Sequence, residues 1–398
     1  MKTNNLSYFI WLLALLPFIM NIAVFSFYSF RGLPTILYII LFASFLFKNK
    51  AYIAKEDRIV SYFLLFHLLA YAFSFLGHFA FPNKGFFFGV LYGCILLSCN
   101  RTEQLKVFDL FLKITTVLLF LSIVEFVVVQ TFGRGIQLGN VVRIEEEFFN
   151  NTTYFKHYIF NLVKIDVISR FQSIMEEPGN VGTLCGFLLF AIGNNPRYKR
   201  QFIIVIFAGI ISLSMAFYAL LGIYMIGNLN IKHLKAFVLM SLIIVAGIFL
   251  FQEQFESKII NRFNSENLDD RSNELFDKHL GDFVQRGDIS LFLGNGSGAT
   301  NSINIGRGVV GAKRELYDFG IIGCLLFFLG SVICYFKFNK VSKHSILFFI
   351  AFWLSWYQRA DIYNPSNLLI FFNIYNAYRT SANSTSKCKI TKCFCKST

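Results

Sequence analysis

Long apolar runs fill most of this 398-residue chain, and its charges are concentrated in the segments between them. Hydrophobic residues make up 55% of the chain and charged residues only 15%, and a soluble fold could not bury that much apolar surface. Runs of about 20 apolar residues are long enough to cross the hydrocarbon core of a bilayer as helices. We therefore predict an all-α polytopic integral membrane protein, which excludes the soluble classes of enzyme.

The apolar runs predict about twelve transmembrane helices. We place them near 7–28, 33–47, 59–80, 85–99, 107–131, 179–193, 201–213, 215–229, 236–251, 316–336, 345–357 and 367–378. The run 201–229 is either a tight pair of helices or one long tilted helix. A pair keeps the two flanking basic loops on the same side of the membrane, so the charge distribution favours the pair.

Charge predicts which side of the membrane each loop occupies. The two polar stretches, 133–178 and 252–314, carry 13 Lys and Arg against 15 Asp and Glu, whereas the rest of the chain carries 24 against 8. Short basic loops between apolar spans are typical of the cytoplasmic side. We therefore place both termini in the cytoplasm and both polar stretches outside. The basic excess then reports topology, and we expect no nucleic-acid partner.

These boundaries divide the chain into six segments. They are helices 1–5 in 1–132, a first outer loop in 133–178, helices 6–9 in 179–251, a large second outer loop in 252–315, helices 10–12 in 316–380, and a basic cytoplasmic tail in 381–398. Neither outer loop contains a cysteine, and the cysteines of the tail are expected to stay reduced. The sequence has no established metal or nucleotide motif, so we expect no cofactor and no metal.

The sharpest local motif runs from Arg170 to Glu177-Pro178-Gly179, immediately before an apolar run. Proline suits the first turn of a helix, where its missing N–H has no partner to lose. This places Glu177 at a helix N-terminus on the outer membrane boundary, where the helix dipole favours negative charge. Ordinary helix capping beside a solvated arginine explains the same pattern without a functional role.

The second outer loop contains a further set of candidate residues. Arg271 precedes an amphipathic stretch, Ser272–Val284, that predicts a helix. Gly294, Gly296 and Gly298 follow, and such a run can form a nest of backbone N–H groups that binds an anion. A glycine run is a weak signal, and an ordinary turn is the simpler interpretation.

Ionisable residues near the outer face suggest the kind of ligand. Arginine outnumbers lysine in the two polar stretches by eight to five, and its planar fork suits phosphate oxygens better than a point charge does. Surface salt bridges explain most of these arginines, but several at a membrane surface fit a lipid-linked pyrophosphate.

Glu125 lies within the fifth predicted span. An acid in a span is either functional or extends to the membrane interface.

Three of these patterns resemble bacterial O-antigen polymerases of the Wzy type. The resemblance covers about residues 100–340 and is carried by short motifs. They are Arg170 before Glu177-Pro178-Gly179, the Ser-bearing hairpin around Ile211-Ser-Leu-Ser214, and Arg271 followed by Gly294-x-Gly296-x-Gly298 and Glu315-Leu-Tyr-Asp318-Phe-Gly320.

The resemblance implies a reaction. A metal-independent membrane glycosyltransferase would move growing glycan from undecaprenyl pyrophosphate onto a lipid-linked repeat unit, at the outer face of the bacterial inner membrane. Its product would be O-antigen or capsular polysaccharide. Donor and acceptor would both be undecaprenyl-pyrophosphate-linked oligosaccharides in membrane lipid, with a chain-length regulator and a flippase of the same pathway as possible partners.

The resemblance also implies roles for particular residues. Arginines would bind the pyrophosphate and stabilise it as it leaves. A carboxylate would deprotonate the acceptor hydroxyl as a base, or would position it. The pyrophosphate-binding candidates are Arg170, Arg271, Arg286 and Arg314. Glu177 is the first candidate for the catalytic acid–base residue, and Asp318 is the second.

Two alternatives remain open at this stage. O-antigen ligases, of the same superfamily, carry a His in the large outer loop shortly before the next span, whereas residues 306–314 here contain none and His279 lies far upstream. Flippases for lipid-linked repeat units also have about twelve spans but are not enzymes. They have short loops and a cationic cavity, whereas Lys and Arg are scarce in the middle of these spans.

Overall fold

A computed structural model of the chain describes residues 2–21, 32–48, 57–77, 84–133, 135–144, 152–164, 170–175, 177–193, 195–228, 274–303, 311–339, 341–358 and 364–374. Its helices are α1 (Lys2–Asn21), α2 (Gly32–Lys48), α3 (Asp57–Gly77), α4 (Lys84–Ser98), α5 (Arg101–Phe132), α6 (Pro178–Ile192), α7 (Lys199–Ile211), α8 (Met215–Asn228), α9 (Glu274–Arg286), α10 (Ile289–Leu293), α11 (Ala299–Ser302), α12 (Gly311–Phe338), α13 (Lys343–Gln358) and α14 (Pro365–Ile374). Its strands are β1 (Gln137–Ile144), β2 (Thr152–Tyr158) and β3 (Leu162–Lys164).

Helix α5 is 32 residues long, and both of its ends are fixed by local chemistry. At its start, the Asn100 side chain accepts the backbone N–H of Glu103 at 2.9 Å, and the Glu103 carboxylate accepts the N–H of Asn100 at 3.2 Å. This reciprocal pair satisfies two N–H groups that a helix start otherwise leaves unpaired. Gly133 ends the helix in the left-handed region, with φ 62°.

Helices α3 and α12 pack side by side and run in opposite directions. His67 of α3 lies against Phe327 with ring centroids 5.5 Å apart, and Ser74 donates to the backbone oxygen of Asp318 at 3.0 Å. Helix α12 has a kink at Gly320, whose φ of 65° and ψ of −175° are not helical. The kink separates a short polar segment, which carries Lys313, Arg314, Glu315 and Asp318, from a long apolar one whose charged residue is Lys337 in the last turn.

Helices α6, α7 and α8 form a three-helix unit. Helix α7 ends at Ile211, a turn follows at Ser212–Ser214, and α8 returns from Met215. Phe202 near the start of α7 lies 6.3 Å, by ring centroids, from Tyr224 near the end of α8, so the two helices are antiparallel. The interpretation of 201–229 as a pair is therefore confirmed.

The chain forms an antiparallel sheet, in the order β1-β2-β3, after α5 and before α6 in the sequence. Asn140 of β1 pairs with Lys156 of β2, and Phe155 of β2 pairs with Lys164 of β3. The prediction of an all-α chain is confirmed in part: the described residues are mostly helical, but this sheet was not predicted. Strands β1 and β2, of 8 and 7 residues, are rich in β-branched and aromatic residues, a composition that favours strands only in a suitable packing context.

Eleven of the twelve predicted apolar segments overlap helices of the described residues. The twelfth, 236–251, lies outside the described residues, and so do residues 22–28, 78–80, 229 and 375–378 of four others. Two helices of the described chain, Arg101–Phe132 and Gly311–Phe338, are long and apolar enough to cross a membrane. Shorter apolar segments lie in α1, α2, α3, α4, α6, α8 and α14. The helix predicted over Ser272–Val284 is also present, as α9.

Candidate functional site

Arg170 is held against the turn between α7 and α8. Its Nε donates to the backbone oxygen of Ser212 at 3.3 Å, and its Nη2 donates to that of Leu213 at 2.5 Å. Carbonyls at a helix end carry partial negative charge, so a guanidinium is a favourable partner for them. Leu213 has a φ of 48°, which is strained for a branched side chain, and the arginine stabilises the turn that requires it.

Glu177 lies at the same end of the three-helix unit. It is the N-cap of α6, its side chain is exposed, and it makes no capping hydrogen bond to the first turn. One turn further along α6, Gly182 approaches Ser214 so closely that a Cβ there would overlap the serine side chain. The glycine therefore lets the α7–α8 turn pack against the start of α6, which brings the Arg170 and Glu177 regions to one end of the unit.

Asp318 is a buried carboxylate that binds the glycine-rich segment of its own chain. Its Oδ1 accepts the backbone N–H of Thr300 at 2.9 Å and the Thr300 hydroxyl at 2.6 Å, and its Oδ2 accepts the N–H of Gly298 at 3.1 Å. Its backbone oxygen accepts the N–H of Gly296 at 3.1 Å. The carboxylate thus occupies the anion position in the glycine turn that the sequence suggested for an external ligand.

The glycines are required because two backbones cross at this point. Gly294 has a φ of 83°, and a Cβ on it would overlap the backbone oxygen of Asp318. On the other chain segment, a Cβ on Gly320 would lie 2.5 Å from the nitrogen of Gly294. Both glycines therefore have a structural explanation: they allow close approach of two main chains where any larger residue would clash.

Of the remaining arginine candidates, Arg314 and Arg286 belong to helices that flank this turn in the chain. Arg314 lies one helical turn before Asp318, with Nε 3.9 Å from the Asp318 Oδ2, and its side chain is partly exposed. Arg286 is exposed at the end of α9, where its Nε donates to the backbone oxygen of Asp282 at 3.3 Å. Arg271 lies outside the described residues.

The ammonium group of Lys313 in α12 donates a hydrogen bond to the carboxylate of Asp277 in α9 at 3.0 Å. This ion pair connects the two helices that carry Arg286 and Arg314.

The structure therefore places the predicted site residues in two groups held by different elements. Arg170 and Glu177 belong to the α6–α8 unit, whereas Arg286, Arg314 and Asp318 belong to the unit of α9, α10, α11 and the first segment of α12. Among the described residues, no group of three or more His, Cys, Asp or Glu side chains is arranged to hold a metal ion.

Glu125 has a role that the sequence did not indicate. Its carboxylate accepts the backbone N–H groups of Ile159 and Phe160, at 3.1 and 2.8 Å, and the Asn161 side chain at 3.2 Å. These three residues form the turn between β2 and β3. The acid near the C-terminal end of α5 therefore anchors the sheet to the helix, a role distinct from both interpretations made from the sequence.

Further contacts hold the sheet on α5. The hydroxyl of Ser122 donates to the backbone oxygen of Phe160 at 2.8 Å and lies 2.7 Å from the hydroxyl of Ser173.

His157 of β2 is buried. Burial lowers the pKa of its imidazole, while the carboxylate of Glu125 acts in the opposite direction. A buried imidazole with a lowered pKa is neutral at pH 7.

No family model matches the chain, and neither a curated protein nor a solved structure matches it.

Proposed function

We propose that this chain is a membrane-embedded polysaccharide polymerase. It would transfer a growing glycan from undecaprenyl pyrophosphate to an undecaprenyl-pyrophosphate-linked repeat unit, without a metal or cofactor, at the outer face of the bacterial inner membrane. The observation that carries the proposal is the placement of Arg170 and Glu177 at one end of the α6–α8 unit.

Exposed apolar stripes support the membrane assignment. Large hydrophobic side chains recur at helical spacing on surfaces that the rest of the described chain leaves uncovered. Examples are Val117, Phe120, Val124 and Val127 on α5, Leu325, Phe328 and Leu329 on α12, and Ile346, Ile350 and Leu354 on α13. Because contiguous apolar surface of this extent is unfavourable in water, lipid is its natural surrounding. We accordingly propose about twelve spans, with both termini in the cytoplasm and both large loops outside.

The chemistry follows from the charges at the end of the α6–α8 unit. A glycosyl transfer from a pyrophosphate carrier needs a cation for the leaving group and an acid–base residue for the acceptor hydroxyl. A guanidinium held by two carbonyls is fixed in orientation, and the planar fork of an arginine suits phosphate oxygens. The Glu177 carboxylate is exposed, so an acceptor can reach it. Arg271, Arg286 and Arg314 stay proposed as further pyrophosphate contacts, with Arg314 beside the buried Asp318.

Asp318 fits a positioning role better than a catalytic one. Its two carboxylate oxygens accept three hydrogen bonds within the chain, so a hydroxyl substrate would have to displace them. Glu177 is therefore the stronger candidate for the base.

Deletion of the gene, followed by gel analysis of the host's surface glycolipid, tests the proposal. Lipid A–core carrying a single repeat, with the polymer ladder lost, is the expected result. Bare core with lipid-linked polymer accumulating would instead make the protein an O-antigen ligase. Bare core with single repeats retained inside would make it a flippase, and the catalytic assignments would then be wrong.

Complementation with Arg170→Lys sharpens the test. Lysine keeps the positive charge but cannot donate to the carbonyls of Ser212 and Leu213 from two positions of a planar fork. We expect polymer formation to fall by about 100-fold or more, as for loss of a transition-state donor, while protein still accumulates in the membrane. Normal ladder length and amount at normal protein level would remove Arg170 from the site.

A further inference from the structure

Five exposed cations surround the contact between α5 and α7. Two lie on α5 and three at or just before the start of α7, and together they are called the α5–α7 basic patch: Lys106, Lys113, Arg197, Lys199 and Arg200. The ion pair that joins the two helices here is between Arg197 and Asp109, with Nη2 2.7 Å from Oδ2. Counting Glu103, which lies one helical turn before Lys106 on α5, two carboxylates stand against five cations, so the patch carries a net positive charge.

The patch is held in place by the fold. Asp109 accepts a hydrogen bond from the hydroxyl of the buried Tyr198 as well as the Arg197 contact, so α5 fixes the segment that leads into α7. The Asn195 side chain also accepts the backbone N–H of Arg197 at 3.0 Å, which fixes the turn before that segment. These contacts leave the side chains of Lys106, Lys113 and Arg200 exposed.

Apolar stripes continue from the patch along both helices. On α5, Lys106 and Lys113 are followed on the same face by Val117 and Phe120, which are 57% and 51% exposed. On α7, Arg200 shares a face with Ile203 and Phe207, which are 58% and 47% exposed. Each helix thus presents cations at one end of its exposed face and apolar side chains beyond them.

We propose that the α5–α7 basic patch binds an anionic glycerophospholipid such as phosphatidylglycerol. The phosphate of the headgroup would meet the cations, and its acyl chains would lie on the apolar stripes. Charge complementarity selects the anionic headgroup, and the stripes select an amphiphile over a free phosphate. The inference goes beyond the polymerase proposal: it depends on insertion of the protein in a membrane but not on any glycan chemistry.

The test is native mass spectrometry of the full-length protein in detergent, titrated with phosphatidylglycerol or with phosphatidylethanolamine of the same acyl chains. We expect phosphatidylglycerol to bind about tenfold more tightly, in line with the attraction of a few basic side chains for an anionic lipid surface. Equal affinity for the two lipids would overturn the proposal. So would displacement of phosphatidylglycerol by inorganic phosphate at equal concentration, because the headgroup charge alone would then account for binding.

Paired variants locate the site. In K106Q/R200Q we expect the affinity for phosphatidylglycerol to fall by about tenfold, since two of the five cations are removed. The control K278Q/K343Q removes the same charge from exposed positions elsewhere and should bind as the unchanged protein does. An unchanged affinity in K106Q/R200Q, or an equal loss in the control, would overturn the assignment. Because all four side chains are exposed, both proteins should fold, and neither result depends on polymerase activity.

Discussion

Thr300 donates both its backbone N–H and its hydroxyl to Oδ1 of Asp318, at 2.9 and 2.6 Å. The threonine follows a glycine-rich turn in the second polar stretch, and the aspartate lies in α12 just before the kink at Gly320. One residue of a helix therefore fixes the conformation of a loop that is distant in sequence. An acid in such a position stabilises the architecture around a site whether or not it touches a substrate.

Asp318→Asn should destabilise the protein. Asparagine keeps one oxygen for Thr300, but its amide group cannot accept the N–H of Gly298. We expect a loss of about 2 kcal/mol, measured as a lower thermal midpoint in detergent. Asp282→Asn, on the exposed face of α9, is the matched control and should melt normally. A variant at position 318 that melts normally but has lost polymerisation would instead establish Asp318 as the base.

Gly320→Ala should prevent accumulation of folded protein. A Cβ at this position would lie 2.5 Å from both the nitrogen of Gly294 and the backbone oxygen of Phe292, in a backbone region that only glycine adopts readily. We expect a cost of about 3 kcal/mol or more. Gly281→Ala is the control, because among the described residues no atom lies within 4 Å of its added Cβ. It should stabilise α9 by about 0.5–1 kcal/mol. Equal yields of the two variants in membrane extracts would contradict this account.

Glu125→Ala should loosen the sheet. It leaves the backbone N–H groups of Ile159 and Phe160 without their carboxylate acceptor, at a cost of about 1 kcal/mol. Hydrogen–deuterium exchange of residues 152–164 should then be faster. Thr131→Ala, an exposed substitution in the last turn of α5, serves for comparison and should leave exchange as it is. Unchanged protection in Glu125→Ala would mean that the carboxylate does not hold the turn.

Glu177→Gln should separate stability from activity. The side chain is exposed and makes no capping hydrogen bond, so we expect removal of its charge to weaken its interaction with the dipole of α6 by about 0.5 kcal/mol. If it is the base, polymerisation of purified lipid-linked repeats should fall by about 100-fold or more. Activity within twofold of the unchanged protein would reduce Glu177 to a residue that merely precedes a helix.

The helices could be predicted from sequence because each long apolar run must be shielded from water, and a helix satisfies the backbone hydrogen bonds of such a run within itself. Even the break after Ile211 was recoverable, since the basic loops on either side of 201–229 favour a pair of helices. The sheet was not recoverable in the same way. Whether a β-branched segment such as Thr152–Tyr158 forms a strand depends on what it packs against.

The candidate site could also be predicted only in part. The residue types that could bind a pyrophosphate, and the helix start beside them, follow from the sequence, because Pro178 and the apolar runs favour helices through local interactions. The contacts of each charged side chain depend on the tertiary structure. Asp318 binds the glycine turn, Glu125 binds the β2–β3 turn, and Arg170 binds the carbonyls of Ser212 and Leu213. A charge that folding removes wholly or partly from water contacts whichever complementary groups come within hydrogen-bonding distance, and those groups belong to other segments of the chain.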